Sequence, residues 1–186
     1  MLLCLFCDII LLEVTMKTTN FGVRLLVEDS FSTVTPLPGR AFIGKLIEMV
    51  GSVKYSLDVI QYQWNFYPAK PKSEMQRLNR TVLAQAEAGK KVRVMVNKEG
   101  RGAHLTAINM KAKQYLGEAG AIVKFGRTFP ITHAKLWIFD DDAVILGSHN
   151  LSNRSVTVNN ESSALIRSRA VAMEFKRYFD SLWHLL

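Results

Sequence analysis

Hydrophobic positions along the chain follow two alternating rhythms. From Gly39 to Val50 apolar residues recur at Phe42, Ile43, Leu46, Ile47 and Val50, the spacing of one helical face. From Val53 to Trp64 the period drops to two, through Tyr55, Leu57, Val59 and Gln61, in a run rich in β-branched and aromatic residues. That pattern predicts a strand. A loop with two prolines, Tyr67 to Ser73, separates it from a helix that Ser73 would cap and Gly89 would stop after Ala88. The same alternation continues with a strand at Lys91 to Asn97, a loop at Lys98 to Gly102, a helix at His104 to Ala119 and a strand at Ala121 to Phe125. Upstream, Gly22 to Glu28 reads as a short strand and Ser30 to Pro38 as a loop. Downstream, strands follow in quick succession at Thr132 to Phe139, Ala143 to Leu146 and Glu161 to Arg167, before a closing helix from Arg169 to Leu186. Strands alternating with helices predict a layered α/β fold, with a mixed, mostly parallel β-sheet flanked by helices and a hairpin added to it.

A length of 186 residues suits a single domain with one core, and 48% hydrophobic with 22% charged residues is the composition of a folded globular chain. The greasiest stretch, Met1 to Val14, is interrupted by Asp8 and Glu13 and is too short to span a bilayer. It also lacks the basic start of a secretory signal, since no Lys or Arg precedes Lys17. Residues 1–15 are therefore read as an apolar leader of uncertain role, with Met16 as an equally good start, and residues 16–186 as the domain. A cytoplasmic location is expected, with secretion or a periplasmic location left open. The two cysteines, Cys4 and Cys7, sit in this leader without a second Cys or His pair to complete a zinc site, so no metal is assigned.

Charge changes the picture once it is located. Pro68 to Arg127 holds thirteen Lys and Arg against four Glu, a balance of +9 in a chain of net charge +8, so the remainder sums to −1. A basic middle third on a neutral frame is the footprint of a polyanionic partner, nucleic acid ahead of anionic lipid.

The segment that carries chemistry is His133-Ala-Lys135, then Asp140, then Gly147-Ser148-His149-Asn150. Residues two apart on a strand share a face about 6.5–7 Å apart, so His133 and Lys135 converge while Asp140 points the other way. The Asp140-Asp141-Asp142 run is a natural turn, and the return strand ending at Gly147 brings Ser148 and Asn150 beside the pair. A lysine ammonium, an amide and a hydroxyl donate to phosphate, and a histidine is a nucleophile or acid/base near neutral pH. Such a pocket would hold a phosphodiester without a metal, and Gly147 would permit close backbone approach.

His-x-Lys-x4-Asp-x6-Gly-Ser-x-Asn, met at His133, Lys135, Asp140, Gly147, Ser148 and Asn150, resembles the signature of the phospholipase D superfamily, in its short nuclease-like branch. The resemblance implies a two-step transfer in which His133 attacks phosphorus to give a covalent phosphohistidine. Lys135 and Asn150 would bind the phosphate oxygens, Ser148 would support the pocket, and Glu161 would orient the imidazole. Asp140 and Gly147 take structural roles. The chemistry needs two histidines and the chain has one such motif, so a homodimer with its active site on the two-fold axis is implied. No cofactor is implied. His104, His149 and His184 lack a partnering Lys and are read as bystanders, with His104 the one nearest to phosphate contact because of the basic stretch.

The expected function is a metal-independent phosphodiesterase, foremost a non-specific endonuclease acting on DNA or RNA. Tyr62, Trp64, Phe66 and Tyr67 precede the basic stretch and are candidates for stacking on bases, with Trp64 leaning to the core. The alternative is a phospholipase D-type lipid phosphodiesterase or phosphatidyltransferase, since one pocket can cleave either diester. A non-catalytic binding module that kept the fold ranks below both, because all six motif positions are intact.

Overall fold

A computed structural model describes residues 32–99 and 103–186. The strand expected at Gly22 to Glu28, the leader and the two cysteines lie outside the described residues. The order is β1 (Thr33–Pro38), α1 (Ala41–Gly51), β2 (Ser56–Gln61), α2 (Glu74–Glu87), β3 (Lys91–Val96), α3 (Ala103–Glu118), β4 (Ile122–Phe125), β5 (Leu136–Phe139), β6 (Ala143–Gly147), α4 (Asn153–Thr157), β7 (Ser162–Arg167) and α5 (Arg169–Trp183).

Seven strands form one sheet in the order β1-β7-β6-β5-β2-β3-β4. The sheet is layered and mixed, but the expectation of mostly parallel pairing is corrected. Only β2–β3 and β3–β4 are parallel, and the other four pairings run antiparallel. The cause is the connections: α2 and α3 are crossovers that return the chain in the same direction, whereas β5 and β6 are joined by a tight hairpin turn. Both central residues of that turn, Asp140 and Asp141, have positive φ (52° and 56°), and Asp142 N–H donates to Phe139 C=O at 2.9 Å. Two positive φ values mark a turn whose twist matches a hairpin.

Two apolar layers sandwich the sheet. Leu57 and Val59 of β2 join Leu46 of α1, Leu78 of α2 and Leu116 of α3 on one side. On the other, Ile60 of the same strand joins Met95, Ile138 and Val144 under Phe179 and Trp183 of α5. A strand buried on both faces is a central strand.

This second interface also contains charge. Asp58, 1% exposed, accepts two bonds from Arg93 (2.6 and 2.9 Å) and one from Lys176 of α5 (2.5 Å). Arg93 reaches on to Asp180 (2.8 Å) and lies over the Phe179 and Trp183 rings. Burial alone would lower the pKa values of Arg93 and Lys176, but the bonds of Arg93 to Asp58 and Asp180, and of Lys176 to Asp58 and Asp141, win and raise both. The network docks α5 on the sheet through satisfied pairs, the arrangement in which buried charge is tolerated.

Three further differences have physical causes. The stretch read as the loop Ser30 to Pro38 includes strand β1. It is an edge strand, and the two-residue spacing of Pro36 and Pro38 puts both missing donors on its open side. The strand expected at Thr132 to Phe139 begins only at Leu136, because past Gln61 the chain leaves β5. It pairs instead with the segment after β6, through Asn65 N–H to Leu151 C=O (2.8 Å) and Leu151 N–H to Gln63 C=O (2.9 Å). The short helix α4 was not anticipated; Ser152 caps it by accepting from Ser155 N–H. By contrast, Ser73 caps α2 by accepting from Gln76 N–H, and Gly89 follows it at φ 76°, so both helix boundaries lie where their residue types predict.

Candidate active site

The departure of β2 from β5 leaves residues 132–135 at the rim of the sheet, outside the regular ladder. His133 and Lys135 occupy it. Lys135 Nζ donates to the His133 carbonyl at 2.7 Å and stands 3.3 and 3.4 Å from the two imidazole nitrogens. The Tyr62 ring packs tilted against the His133 ring with centroids 4.6 Å apart, and the Lys135 ammonium lies 5.0 Å from the same Tyr62 ring. Burial lowers the His133 pKa and the adjacent Lys135 charge lowers it further, so the imidazole is neutral and its lone pair available near neutral pH. Burial also lowers the Lys135 pKa, and the field of Glu161 works against that shift.

Across the rim, Gly147 N–H donates to Lys135 C=O at 3.3 Å, extending the β5–β6 ladder by one rung. A side chain at Gly147 would collide with β7: an added Cβ would lie 2.1 Å from Ser163 Oγ and 2.4 Å from Ser162 C=O. Ser148 follows, and its hydroxyl donates to Glu161 at 2.5 Å while accepting from Ser162 N–H at 3.1 Å. Glu161 also receives Ser155 of α4 (3.1 Å) and Asn159 (3.2 Å). Burial alone would raise its pKa, but the three donors outweigh that and hold it below the usual carboxylate range. No described hydrogen bond joins Glu161 to His133 of the same chain. Asn150 completes the rim, with its Oδ1 buried and unpartnered.

Asp140 lies at the far end of the hairpin. Its carboxylate accepts the backbone N–H groups of Lys54 (2.8 Å), Tyr55 (2.8 Å) and Ser56 (2.9 Å), tying the β5–β6 turn to the start of β2. It does not reach the rim.

Several residues that hold the rim were not singled out from the sequence. Asn109 of α3 accepts from Trp64 N–H at 2.9 Å and donates to the carbonyls of Tyr62 and Asn97, each at 2.9 Å. Asn97 in turn accepts from Thr132 N–H (3.2 Å), and Asn79 accepts from the Trp64 indole (2.9 Å). These three buried asparagines clamp the chain where the strands end. The signal for Asn79 and Asn109 is a polar residue on a buried helix face, and for Asn97 a polar residue ending an apolar strand. His149 is wholly buried, stacked 4.1 Å from Phe42, with Nε2 on the Gly39 carbonyl (3.1 Å) and Nδ1 on Ser163 Oγ (2.8 Å). The carbonyl requires Nε2 to carry the proton, so Nδ1 accepts from the serine. Of the aromatic candidates, Trp64 is fully buried and Phe66 stacks on Tyr115 (4.9 Å), while Tyr62 lies at the rim. His104 is exposed on α3, away from these contacts.

Comparison with known proteins fits this arrangement. The family model described as cardiolipin synthase, PLD-like domain matches residues 46–183. The chain therefore belongs to the phospholipase D-like family. It is 25% identical over 173 residues to the 5'-3' exonuclease PLD3 of Xenopus laevis, covering 86% of this chain and 33% of that protein. It is 24% identical over 143 residues to the virion nicking-joining enzyme of Vaccinia virus (strain Western Reserve), covering 74% and 32%. The chain thus spans about a third of the length of these curated relatives. In fold it is similar to Nuc of Salmonella typhimurium, with a TM-score of 0.70, 20% identity, and coverage of 83% of this chain and 95% of that one. NucT of Helicobacter pylori gives 0.66 at 17% identity, covering 83% and 97%.

Proposed function

We propose that the protein is a nuclease that hydrolyses phosphodiester bonds of DNA or RNA through a phosphohistidine, without a metal, in an active site shared by two copies. The observation that carries this reading is the Lys135 ammonium held beside a neutral His133 imidazole at the open rim. A ring nitrogen of the neutral His133 in one copy attacks phosphorus as the bond to the leaving oxygen breaks, and the partner subunit's His133, in its protonated form, gives that oxygen its proton and is left neutral. Water then attacks the phosphohistidine, losing a proton to the same partner histidine, and the P–N bond breaks to return His133. Lys135 and Asn150 bind the phosphate oxygens on which charge builds, where donors held in place in advance contribute most. Glu161, unbonded to His133 of its own chain and fixed by Ser148, Ser155 and Asn159, is left to orient the imidazole that the second copy presents. The names of the exonuclease and nicking-joining relatives support nucleic acid as substrate.

The test is nicking of supercoiled plasmid in excess EDTA by wild type and His133→Ala. Nicking that persists with the chelator and is lost in the variant supports the reading; nicking that EDTA abolishes, or that His133→Ala retains, overturns it. A size measurement in solution checks the dimer.

A second reading, lipid phosphodiester hydrolysis, rests on a cavity of about 270 Å³ that reaches His133 and is walled by Met95, Ile131, Leu182 and Leu185. Such walls suit an acyl chain or a base. Hydrolysis of cardiolipin or phosphatidylcholine vesicles, with plasmid and single strands left intact, would favour lipid.

A further inference from the structure

A polar cavity of about 520 Å³, sharing no lining residue with that apolar one, opens beside Asn150. Gln63 and Tyr67 line it from the chain leaving β2, Lys70 from the loop before α2, and Asn153 and Arg154 from α4. The Tyr67 hydroxyl accepts from Asn153 N–H at 3.2 Å, fixing the two walls to each other. No carboxylate lines the cavity, and both cations, Lys70 and Arg154, extend side chains that make no hydrogen bond or ion pair among the described residues. Three other cations of the basic stretch are engaged elsewhere: Arg93 with Asp58 and Asp180, Lys90 on the Val53 carbonyl, and Lys124 on the Trp183 carbonyl. Two unpaired cations among amide and hydroxyl donors, in a concavity that shares Asn150 with the candidate centre, are the groups that an anion would bind.

We infer that this cavity is a second phosphate subsite, holding the phosphate next to the scissile one in a nucleic-acid strand through Lys70 and Arg154. The inference rests on the nuclease reading and adds to it that the enzyme binds a run of at least two phosphates. A substrate with a single phosphate would fill the His133–Lys135 centre and leave this cavity empty.

The experiment compares a dinucleotide, which has one phosphate, with a trinucleotide, and with a trinucleotide whose second linkage is an uncharged methylphosphonate. In wild type, kcat/KM is expected to rise about tenfold or more from the dinucleotide to the trinucleotide, the scale of one charge-assisted contact. The rise should vanish with the methylphosphonate. In Lys70→Ala/Arg154→Ala the trinucleotide-to-dinucleotide ratio should fall towards one, and Lys70→Arg with Arg154→Lys should restore it. Equal kcat/KM for the two substrates in wild type, or a ratio unchanged in the double alanine variant, overturns the subsite while leaving the nuclease reading standing. No cleavage of either substrate or of plasmid, together with hydrolysis of cardiolipin vesicles, overturns both.

Discussion

Lys135 donates to the carbonyl of His133, two residues upstream, at 2.7 Å, which holds the cation 3.3 and 3.4 Å from the nitrogens of the imidazole. The lysine takes its place through the backbone of the very residue whose ring it influences. The contact closes locally, between residues two apart in the chain.

The first prediction concerns the imidazole proton. Burial and the Lys135 charge both lower the His133 pKa. Lys135→Gln removes the charge and leaves most of the burial, so the NMR titration midpoint of His133 should rise towards, without reaching, the ordinary 6.5. As pH falls the imidazole gains a proton and ceases to be a nucleophile, so the acid limb of the wild-type rate profile should lie below that of a free histidine. An unchanged or lower midpoint in the variant would show that Lys135 does not set it.

Gly147 supplies a second test, on the backbone. A methyl group there would sit 2.1–2.5 Å from Ser162 and Ser163 atoms, including Ser163 Cα, and Ser148 follows directly in the chain. Gly147→Ala should cost more than about 3 kcal/mol, because β6 and β7 must separate to accept it. Urea unfolding measures this. A loss under about 1 kcal/mol would mean that the two strands can shift apart freely.

A third prediction links stability to His149. Burial lowers its pKa, against smaller opposing effects of the Gly39 carbonyl and Glu161. An imidazole whose charged form is disfavoured in the folded chain binds more protons unfolded than folded, so stability is present above about pH 6.5 and is lost as pH falls below it. His133 shifts in the same direction and contributes to the same window. Denaturant midpoints at pH 7.5 and 5.5 should therefore differ, and differ less in His149→Gln. That variant should also be less stable at pH 7.5 by roughly 1–3 kcal/mol, through the lost stack on Phe42 and a poorer pair of hydrogen bonds. An equal pH difference in both proteins would remove His149 from the account.

Much of the secondary structure was legible because it is local. Ser73 and Gly89 bound α2 through their own conformational preferences, and the alternation of Leu57, Asp58, Val59 and Ile60 is what a strand between two layers requires. β1 was not legible: its prolines argue against a strand unless that strand is known to lie at an edge, and edge position depends on the whole sheet. The mostly parallel expectation failed for the same reason, since strand direction depends on how the chain returns and the periodicity of each strand carries no record of it.

For the rim, the sequence determined the residue types and the two-residue spacing that lets Lys135 reach back to the carbonyl of His133, because that contact closes between near neighbours in the chain. Only the tertiary structure decided where that pair would stand. β2 abandons β5 after Gln61 to pair beyond β6, three buried asparagines from distant elements hold the exits, and α4 brings Ser155 to Glu161. The β2 pairing and most of the asparagine contacts join residues far apart in the chain, and their geometry exists only once apolar burial on both faces of the sheet has fixed how the layers lie.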